Sequence, residues 1–304
     1  MRKTFSISVV IPAYGPGPNL ERVVAALARQ TPPIAQIIVS HSGKDDPSAR
    51  FNEMGNVTVL HCETRLYAGA ARNRGLALAN TEWVAFIDED VIVEDGWQLA
   101  LQKAIALGNA DCIAGSIGFA ETGGYWGMAL WFAEFGSVHP YLAAHPAFAG
   151  ASANIAIRKE LLEAISGFPE EWPRAQDTVA QINLRKAGAR ILFDPALQGN
   201  HVNLPGLKRM ISHLYVTGQF SARVRRLFPE TPGALAERLP ALSLGLWLAR
   251  LVQTYLRVMI AQNGPIFSLL FYTPGIIVGL IAWNIGFFAE SLGRSNSTTD
   301  LTRL

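Results

Sequence analysis

Along the first half of the chain, short apolar runs alternate with polar loops and with segments whose apolar residues recur every three or four positions. The apolar runs predict β-strands over residues 6–12, 36–39, 57–60 and 83–87. Helical spacing predicts a helix over 20–30, and an alanine-rich segment predicts another over 68–79. Because alternating strands and helices need crossover connections, we expect a Rossmann-like α/β fold, with a mostly parallel central sheet and flanking helices.

Beyond residue 110 the pattern becomes less regular. It predicts short strands over 112–114, 155–157 and 190–193, with Asp194-Pro195 as a turn after the last one. Helices are expected over 159–165 and 177–186. Residues 123–150 are aromatic and glycine-rich with little periodicity, which favours a long functional loop.

The C-terminal third is more apolar. Residues 207–228 read as a basic helix, and 242–260 as an apolar helix with Arg250, Gln253 and Arg257 on one face, a pattern typical of a membrane interface. Residues 267–289 carry no charge and are long enough to span a bilayer. A hydrophobic dimer interface or a packed helical subdomain is the alternative. We therefore expect a catalytic domain (1–206), a basic linker helix (207–232) and a membrane-associated region (233–304).

Composition narrows the class of protein. Half of the 304 residues are hydrophobic and only 16% are charged, which is lean for a purely soluble protein. A net charge of +2 predicts no nucleic-acid partner. Two cysteines make neither a disulfide framework nor a metal-binding spacing. The apolar run after Arg2 and Lys3 ends at Pro12, so we interpret it as a strand rather than a signal peptide.

The strongest chemical signal is the acidic triplet Asp88-Glu89-Asp90, which directly follows the apolar run 83–87. Open α/β sheets bind their ligands at the carboxyl ends of their strands. Carboxylates two residues apart suit a Mg²⁺ or Mn²⁺ ion shared with substrate phosphates. Taken alone, the triplet could equally be an acidic turn that caps the following helix.

Several segments together resemble the family-2 glycosyltransferases, which have the A-type nucleotide-sugar fold. The segments, which lie between residues 6 and 220, are Val9-Val10-Ile11-Pro12-Ala13-Tyr14, Tyr67-Ala68-Gly69-Ala70-Ala71-Arg72-Asn73-Arg74-Gly75, Phe86-Ile87-Asp88-Glu89-Asp90, Gly167-Phe168-Pro169-Glu170-Glu171, Gln176-Asp177-Thr178 and Phe193-Asp194-Pro195 followed by His201.

This resemblance implies a role for each matched residue. Asp90 and His201 would bind the metal ion, Mg²⁺ or Mn²⁺, and Asp177 would be the catalytic base. The residues expected to bind the donor are Pro12, Ala13, Tyr14, Ser40, Arg72, Asp88 and Glu89. One position departs from the family, because Ser40 stands where an acid commonly contacts the nucleotide base. The base is therefore left open, and Asp45 or Asp46 could compensate.

The function implied is an inverting, metal-dependent transfer of a sugar from a nucleotide-sugar donor to a hydroxyl group. A lipid-linked or polysaccharide acceptor at the cytoplasmic face of the cell membrane is expected, and a homo-oligomer is possible. The main alternative is a non-catalytic nucleotide-sugar-binding scaffold subunit of the membrane. A dinucleotide-dependent oxidoreductase is disfavoured, because the first strand is not followed by the G-x-G-x-x-G phosphate turn.

Overall fold

A computed structural model describes residues 4–203, 205–261 and 264–293. Arg2, Lys3 and the last part of the predicted C-terminal region, 294–304, lie outside the described residues. The chain forms two compact units, each built from two stretches of sequence. Unit 1 comprises residues 1–120 and 143–201, and unit 2 comprises 121–142 and 202–304. The division into catalytic domain, linker and membrane-associated region remains a prediction.

The centre of unit 1 is a nine-stranded sheet with the strand order β3-β2-β1-β4-β8-β6-β9-β5, and β7 pairs with β9. The strands in the described residues are β1 (Ile7–Tyr14), β2 (Gln36–Ser42), β3 (Val57–Leu60), β4 (Trp83–Ile87), β5 (Val91–Val93), β6 (Cys112–Glu121), β7 (His145–Pro146), β8 (Asn154–Arg158) and β9 (Ile191–Val202).

The sheet is mixed. β1 pairs in parallel with β2 and β4, and β2 with β3, whereas β8 runs antiparallel to β4 and β6, and β9 antiparallel to β5 and β7. The four parallel strands are those that the apolar runs predict. Their carboxyl ends, which follow residues 14, 42, 60 and 87, therefore lie along one edge. The predicted α/β fold class is confirmed, with the parallel part confined to these four strands.

Helices cover both units. In the described residues they are α1 (Leu20–Ala28), α2 (Ala68–Leu78), α3 (Trp97–Ala106), α4 (Gly124–Phe135), α5 (Lys159–Ala164), α6 (Gln176–Lys186), α7 (Leu207–Leu227), α8 (Ala234–Arg238), α9 (Pro240–Ser243), α10 (Leu246–Ile260) and α11 (Ile266–Leu292), with a 3₁₀ turn at Ser48–Arg50.

The core of unit 1 joins the sheet to its covering helices. Val10, Phe86 and Ile155 from the strands and Leu76 and Leu184 from helices α2 and α6 form one buried cluster. Helix α2 lies directly on β1, because a Cβ atom at Gly75 would overlap the side chain of Val10. This close contact fixes the start of α2 near the carboxyl end of β1.

Two local predictions are wrong. Residues 124–135 form helix α4 rather than part of a loop, and most of its side chains are buried. A helix that is apolar on all sides carries no periodic signal. The expected turn at Asp194-Pro195 is absent, since β9 continues through both residues to Val202. The carbonyl of Pro195 still accepts a hydrogen bond from Ser116 Oγ at 2.9 Å, although proline has no N–H to donate.

Unit 2 is helical, and α11 packs against α4, α7 and α10. Among the described residues, α11 alone is long and apolar enough to cross a membrane, a criterion that buried helices of soluble proteins also meet. Glycines allow α7 and α11 to approach closely: a Cβ atom at Gly218 would overlap the carbonyl of Trp283, and one at Gly286 the carbonyl of Tyr215.

Candidate active site

A cleft of about 200 Å³ lies at the carboxyl ends of β1 and β4. Its lining comprises Pro12, Ala13, Tyr14, Leu66, Ala68, Ala71, Asp88, Glu89 and Asp90. The cleft forms here because β1 and β4 are parallel neighbours that end at the same edge, with the start of α2 beside them. Six of the predicted donor- and metal-binding residues therefore share one cleft.

Asp88 is held by a buried arginine. Arg72 Nη2 donates a hydrogen bond to Asp88 Oδ1 at 2.6 Å, and the Arg72 side chain is only 2% exposed. Desolvation raises the pKa of the Asp88 carboxyl; Arg72 opposes this shift, and the neighbouring charge of Asp90 adds to it. Arg72 thus holds the acidic triplet in place through Asp88, and it is not part of the lining of the cleft.

Glu89 connects the triplet to the end of β1. Its Oε1 atom accepts a hydrogen bond from the backbone N–H of Tyr14 at 3.3 Å. Its Oε2 atom is buried without a hydrogen-bond partner in the described part of the chain. Burial raises the pKa of Glu89 to about 7, the Tyr14 N–H lowers it, and Asp90 and Asp88 raise it further. A ligand hydroxyl could satisfy the second oxygen.

Asp90 and His201 meet through strand pairing. Val91 of β5 lies opposite His201 of β9, which brings Asp90 Oδ2 to 3.3 Å from His201 Nε2. Adjacent ligands of an octahedral ion with bonds of about 2.1 Å lie about 3 Å apart, so this pair fits one Mg²⁺ or Mn²⁺. In the described residues no three His, Cys, Asp or Glu side chains are grouped for metal binding. Water and phosphate oxygens would complete the shell.

Asp177, where the sequence predicts the start of this helix, is the second residue of α6. The N-cap is Ala175, in the left-handed region at φ 59°. Asp177 Oδ2 accepts a hydrogen bond from Ser152 Oγ at 3.2 Å, and Oδ1 accepts one from the Thr178 N–H at 2.7 Å. The next residue after Ser152, Ala153, accepts the backbone N–H of Asp88 at 3.2 Å, so the segment 152–153 links Asp177 to the acidic triplet.

Asn73 links α2 to the segment that leads to Asp177. Its Oδ1 atom accepts the Phe168 N–H at 2.9 Å, and its Nδ2 atom donates to the Phe168 carbonyl at 2.8 Å and to Glu170 Oε1 at 2.9 Å. A Cβ atom at Gly69 would overlap the carbonyl of Pro169. Helix α2 is therefore in contact with the backbone on the way to α6.

Ser40 does not line the cleft. It is fully buried in β2, opposite Pro12 of β1, and its Oγ has no hydrogen-bond partner in the described residues. Next to it, His41 bonds the Gly15 carbonyl through Nε2 at 2.7 Å and contacts His61 through Nδ1 at 3.1 Å. Asp46 is bonded to Ser48.

The structure therefore assembles only some of the predicted residues in the cleft. Pro12, Ala13, Tyr14 and the acidic triplet line it. Arg72 and His201 contact the triplet, Asp177 is linked to it through the segment 152–153, and Ser40 lies apart. Sequence reasoning missed Ser152 and the bonds between Asn73 and Phe168; the one signal for Asn73 was its position beside Arg72 in the segment that resembles the family.

Comparisons with known proteins show the family and the fold of the chain. The model of the family "Glycosyl transferase family 2" matches residues 8–166, which is more than half of the chain. A glycosyltransferase of Streptococcus pneumoniae, GlyG, is 30% identical over 115 residues, covering 36% of this chain and 38% of that protein. The pre-mycofactocin glycosyltransferase of Mycobacterium tuberculosis is 26% identical over 272 residues, covering 84% of this chain and 57% of that protein.

Solved structures share the fold. A fragment of S. aureus TarS, residues 1–349, aligns with a TM-score of 0.53 at 15% identity, covering 95% of this chain and 92% of that one. GalNAc-T7, solved with UDP, GalNAc and Mn²⁺, aligns with a TM-score of 0.52 at 18% identity over 66% of this chain and 44% of that one. With the family model matched from β1 to the end of α5, this chain belongs to glycosyl transferase family 2.

Proposed function

We propose that this chain is an inverting glycosyltransferase that moves a sugar from a nucleotide-sugar donor to a hydroxyl group of its acceptor. The observation that carries the proposal is the link between the acidic triplet and Asp177, through Ala153 and Ser152, beside a cleft at the carboxyl ends of β1 and β4. Such edges are where open α/β sheets bind nucleotides.

The donor would lie in the cleft. Pro12, Ala13 and Tyr14 would contact the nucleoside, and Asp88 and Glu89 would accept hydrogen bonds from its hydroxyl groups. Arg72 keeps Asp88 in place and does not itself touch the donor in this proposal. Asp90 and His201 would hold a Mg²⁺ or Mn²⁺ ion, which stabilises the negative charge on a diphosphate leaving group.

Asp177 would take the proton from the acceptor hydroxyl. Its carboxylate is oriented by the Ser152 hydroxyl and by the Thr178 N–H, which leaves it acceptor capacity for the substrate. A positioned carboxylate base accelerates such a step by about 10²- to 10⁴-fold. A single displacement with Asp177 on the acceptor side would invert the anomeric configuration.

The acceptor in this proposal is lipid-linked or a growing polysaccharide, at the cytoplasmic face of the cell membrane. Its support is the apolar helix α11, which has the length and composition of a membrane segment. This chain covers 38% of the length of GlyG and 57% of the length of the pre-mycofactocin glycosyltransferase, so the activities of these relatives do not define the acceptor here.

A panel of nucleotide sugars tests the proposal. The full chain should hydrolyse or transfer one donor with Mn²⁺ or Mg²⁺ and should lose this activity with a chelator. Asp177→Asn should keep donor affinity and lose turnover by about 10³-fold. The matched control is Asp95→Asn, since Asp95 is 85% exposed and lies outside the lining of the cleft.

Two results would contradict the proposal. If Asp177→Asn turned over the donor as fast as Asp95→Asn, Asp177 would not be the catalytic base. If a chelator left the activity unchanged, the reaction would not depend on a metal ion. Donor binding without turnover by the unmodified chain, with any acceptor, would favour a nucleotide-sugar-binding scaffold.

A further inference from the structure

Helix α10 directs Arg250 and Thr254 towards the interior of unit 2 and exposes apolar side chains, whereas a helix on a soluble protein usually exposes its polar side chains. Arg250 points inward: its Nη2 donates to the Ala133 carbonyl at 3.1 Å, and its guanidinium lies 4.4 Å from the centre of the Trp283 ring. Thr254, one turn on, is 5% exposed. Four apolar side chains of α10 are 48–68% exposed, namely Leu248, Val252, Leu256 and Met259. Gln253 is an exposed polar residue of this helix.

Helix α11 continues this surface. It runs antiparallel to α10, because Trp247 bonds Asn284 while Tyr255 bonds Thr273. Apart from Ser268, its exposed side chains are also apolar, and most of them recur along one stripe. We call the two stripes together the apolar face, which comprises Leu248, Val252, Leu256, Met259, Phe267, Leu270, Phe271, Val278, Ile281 and Ile285. Exposed apolar patches of this extent mark interaction surfaces.

The packing of unit 2 argues against a transmembrane arrangement. The 27 residues of α11 could cross a bilayer, but α10 with 15 residues and α4 with 12 reach only about 22 and 18 Å, short of the roughly 30 Å hydrocarbon core. Helix α11 is also packed along α7, which carries Lys208, Arg209, Arg223, Arg225 and Arg226. Drawing these charges into hydrocarbon would be costly.

The charge of unit 2 favours an anionic membrane. Its described residues include eight Lys and Arg but only five Asp and Glu. Glu290 pairs with Arg223 and Arg226, and Glu237 pairs with Arg226, so these acids already serve internal contacts. Exposed Lys208, Arg209 and Arg238 complement an anionic surface. Basic residues near such a leaflet are attracted by its negative surface potential.

We propose that the apolar face lies in the plane of an anionic lipid bilayer, with its side chains in the boundary between headgroups and acyl chains and with neither α10 nor α11 crossing. This proposal rests on the membrane location given in the proposed function, and it specifies the partner and the mode of binding. An amphipathic surface with cationic surroundings binds membranes in this way without a span.

Labelling of the two ends of α11 tests the in-plane arrangement. Ser268→Cys and Leu292→Cys, at exposed positions outside the apolar face as defined above, would be introduced singly into the full chain carrying Cys62→Ser; Cys112 is fully buried. The protein would be added from one side to preformed, sealed vesicles of phosphatidylcholine and phosphatidylglycerol. A membrane-impermeant maleimide added outside should label both variants to the same extent. Labelling of one end only, with the other released by detergent, would show a span and overturn the proposal.

Flotation with vesicles tests the face itself. Leu256→Gln with Met259→Gln should weaken binding to the same vesicles by about tenfold or more, and Met259→Gln alone by less. The control is Leu107→Gln, since Leu107 is 70% exposed in unit 1. Unchanged binding by the double variant would overturn the proposal. The proposal would also be overturned if the unmodified chain were a dimer that does not bind vesicles and that these substitutions dissociate. The apolar face would then be covered by a second copy of the chain.

Donor hydrolysis in detergent separates this proposal from the preceding one. Variants of the apolar face should hydrolyse the donor at the unmodified rate while losing vesicle binding. If the unmodified chain hydrolyses the donor but does not bind the vesicles, only the membrane proposal is contradicted. If it binds the vesicles but hydrolyses no donor, only the transferase proposal is contradicted.

Discussion

The two units of the chain expose different kinds of side chain. Unit 1 buries Val10, Phe86 and Ile155 beneath its helices and gathers acids at an open edge of its sheet. Unit 2 also has a buried apolar core, but it exposes leucines and other apolar side chains along α10 and α11. Because apolar surface is favoured where water is excluded, the contrast fits the membrane location that we propose for unit 2.

The largest effect on this comparison is expected from the buried ion pair of unit 1. Arg72→Leu should lower the free energy of unfolding of unit 1 by about 3 kcal/mol, because it leaves Asp88 partly buried without its partner. Arg29→Leu is the control. Arg29 pairs with Asp95, but the two side chains are 56% and 85% exposed, so the loss should stay under about 0.5 kcal/mol.

Denaturant unfolding followed by hydrogen exchange of the β4 amides would measure both variants. Arg72→Leu combined with Asp88→Asn should recover part of the loss, because the unpaired charge is then gone. Equal effects of Arg72→Leu and Arg29→Leu would mean that the triplet is not held by a buried pair.

A smaller effect, in unit 2, should depend on pH. His139 is 1% exposed, and its Nδ1 accepts the Tyr141 N–H at 3.2 Å. Burial, and then the charge of Arg257, lowers the pKa of His139 to about 4. The unfolded chain protonates near pH 6.5, so stability is full above that pH and falls as the pH drops towards 4. At pH 5 the loss should be about 2 kcal/mol.

Hydrogen exchange of α4 and α10 at pH 5 and 7 would measure this dependence. In His139→Gln the part of the slope due to His139 should vanish, whereas His145→Gln, at an exposed position of unit 1, should leave the slope unchanged. An unaltered slope in His139→Gln would show that the interior of unit 2 tolerates the charge.

The smallest effect on stability, with the sharper effect on activity, is expected at Asn73. Asn73→Ala should cost about 1 to 2 kcal/mol by removing both hydrogen bonds to the Phe168 backbone. Turnover should fall more than donor affinity, because the segment leads to Asp177. Asn56→Ala removes a similar bond, to the Ile34 carbonyl at 3.1 Å, and should reduce stability without changing turnover. Equal turnover in both variants would confine Asn73 to a structural role.

The sequence predicts the parallel strands well. The runs at 57–60 and 83–87 are β3 and β4 to the residue, whereas the run at 36–39 is only the first part of β2, which continues to Ser42. The buried strand β4 was recognisable because it is apolar throughout. The same reasoning failed for α4, whose buried faces leave no polar side to detect. It also ended β9 at Asp194-Pro195, although the strand continues to Val202.

The sequence allowed most residues of the candidate site to be predicted, but few of the contacts between them. The acidic triplet follows from its place after β4, but the pairing of Asp90 with His201 depends on the register of β5 and β9, which are far apart in sequence. Likewise, the sequence predicts a helix over 177–186, but not that Ala175 with φ 59° is its N-cap and that the Asp177 carboxylate lies in the first turn. Long-range register and left-handed residues of this kind leave little local trace.

The bonds that Asn73 makes to Phe168 have a consequence for which changes the chain tolerates. Two of its three partners are backbone atoms, so they do not depend on which side chain stands at residue 168. What they require is a fixed count of residues between this anchor and Asp177. Substitutions across 170–175 should therefore be accepted more readily than a one-residue insertion or deletion there, which would leave Asn73 bonded and carry the carboxylate away from Ser152.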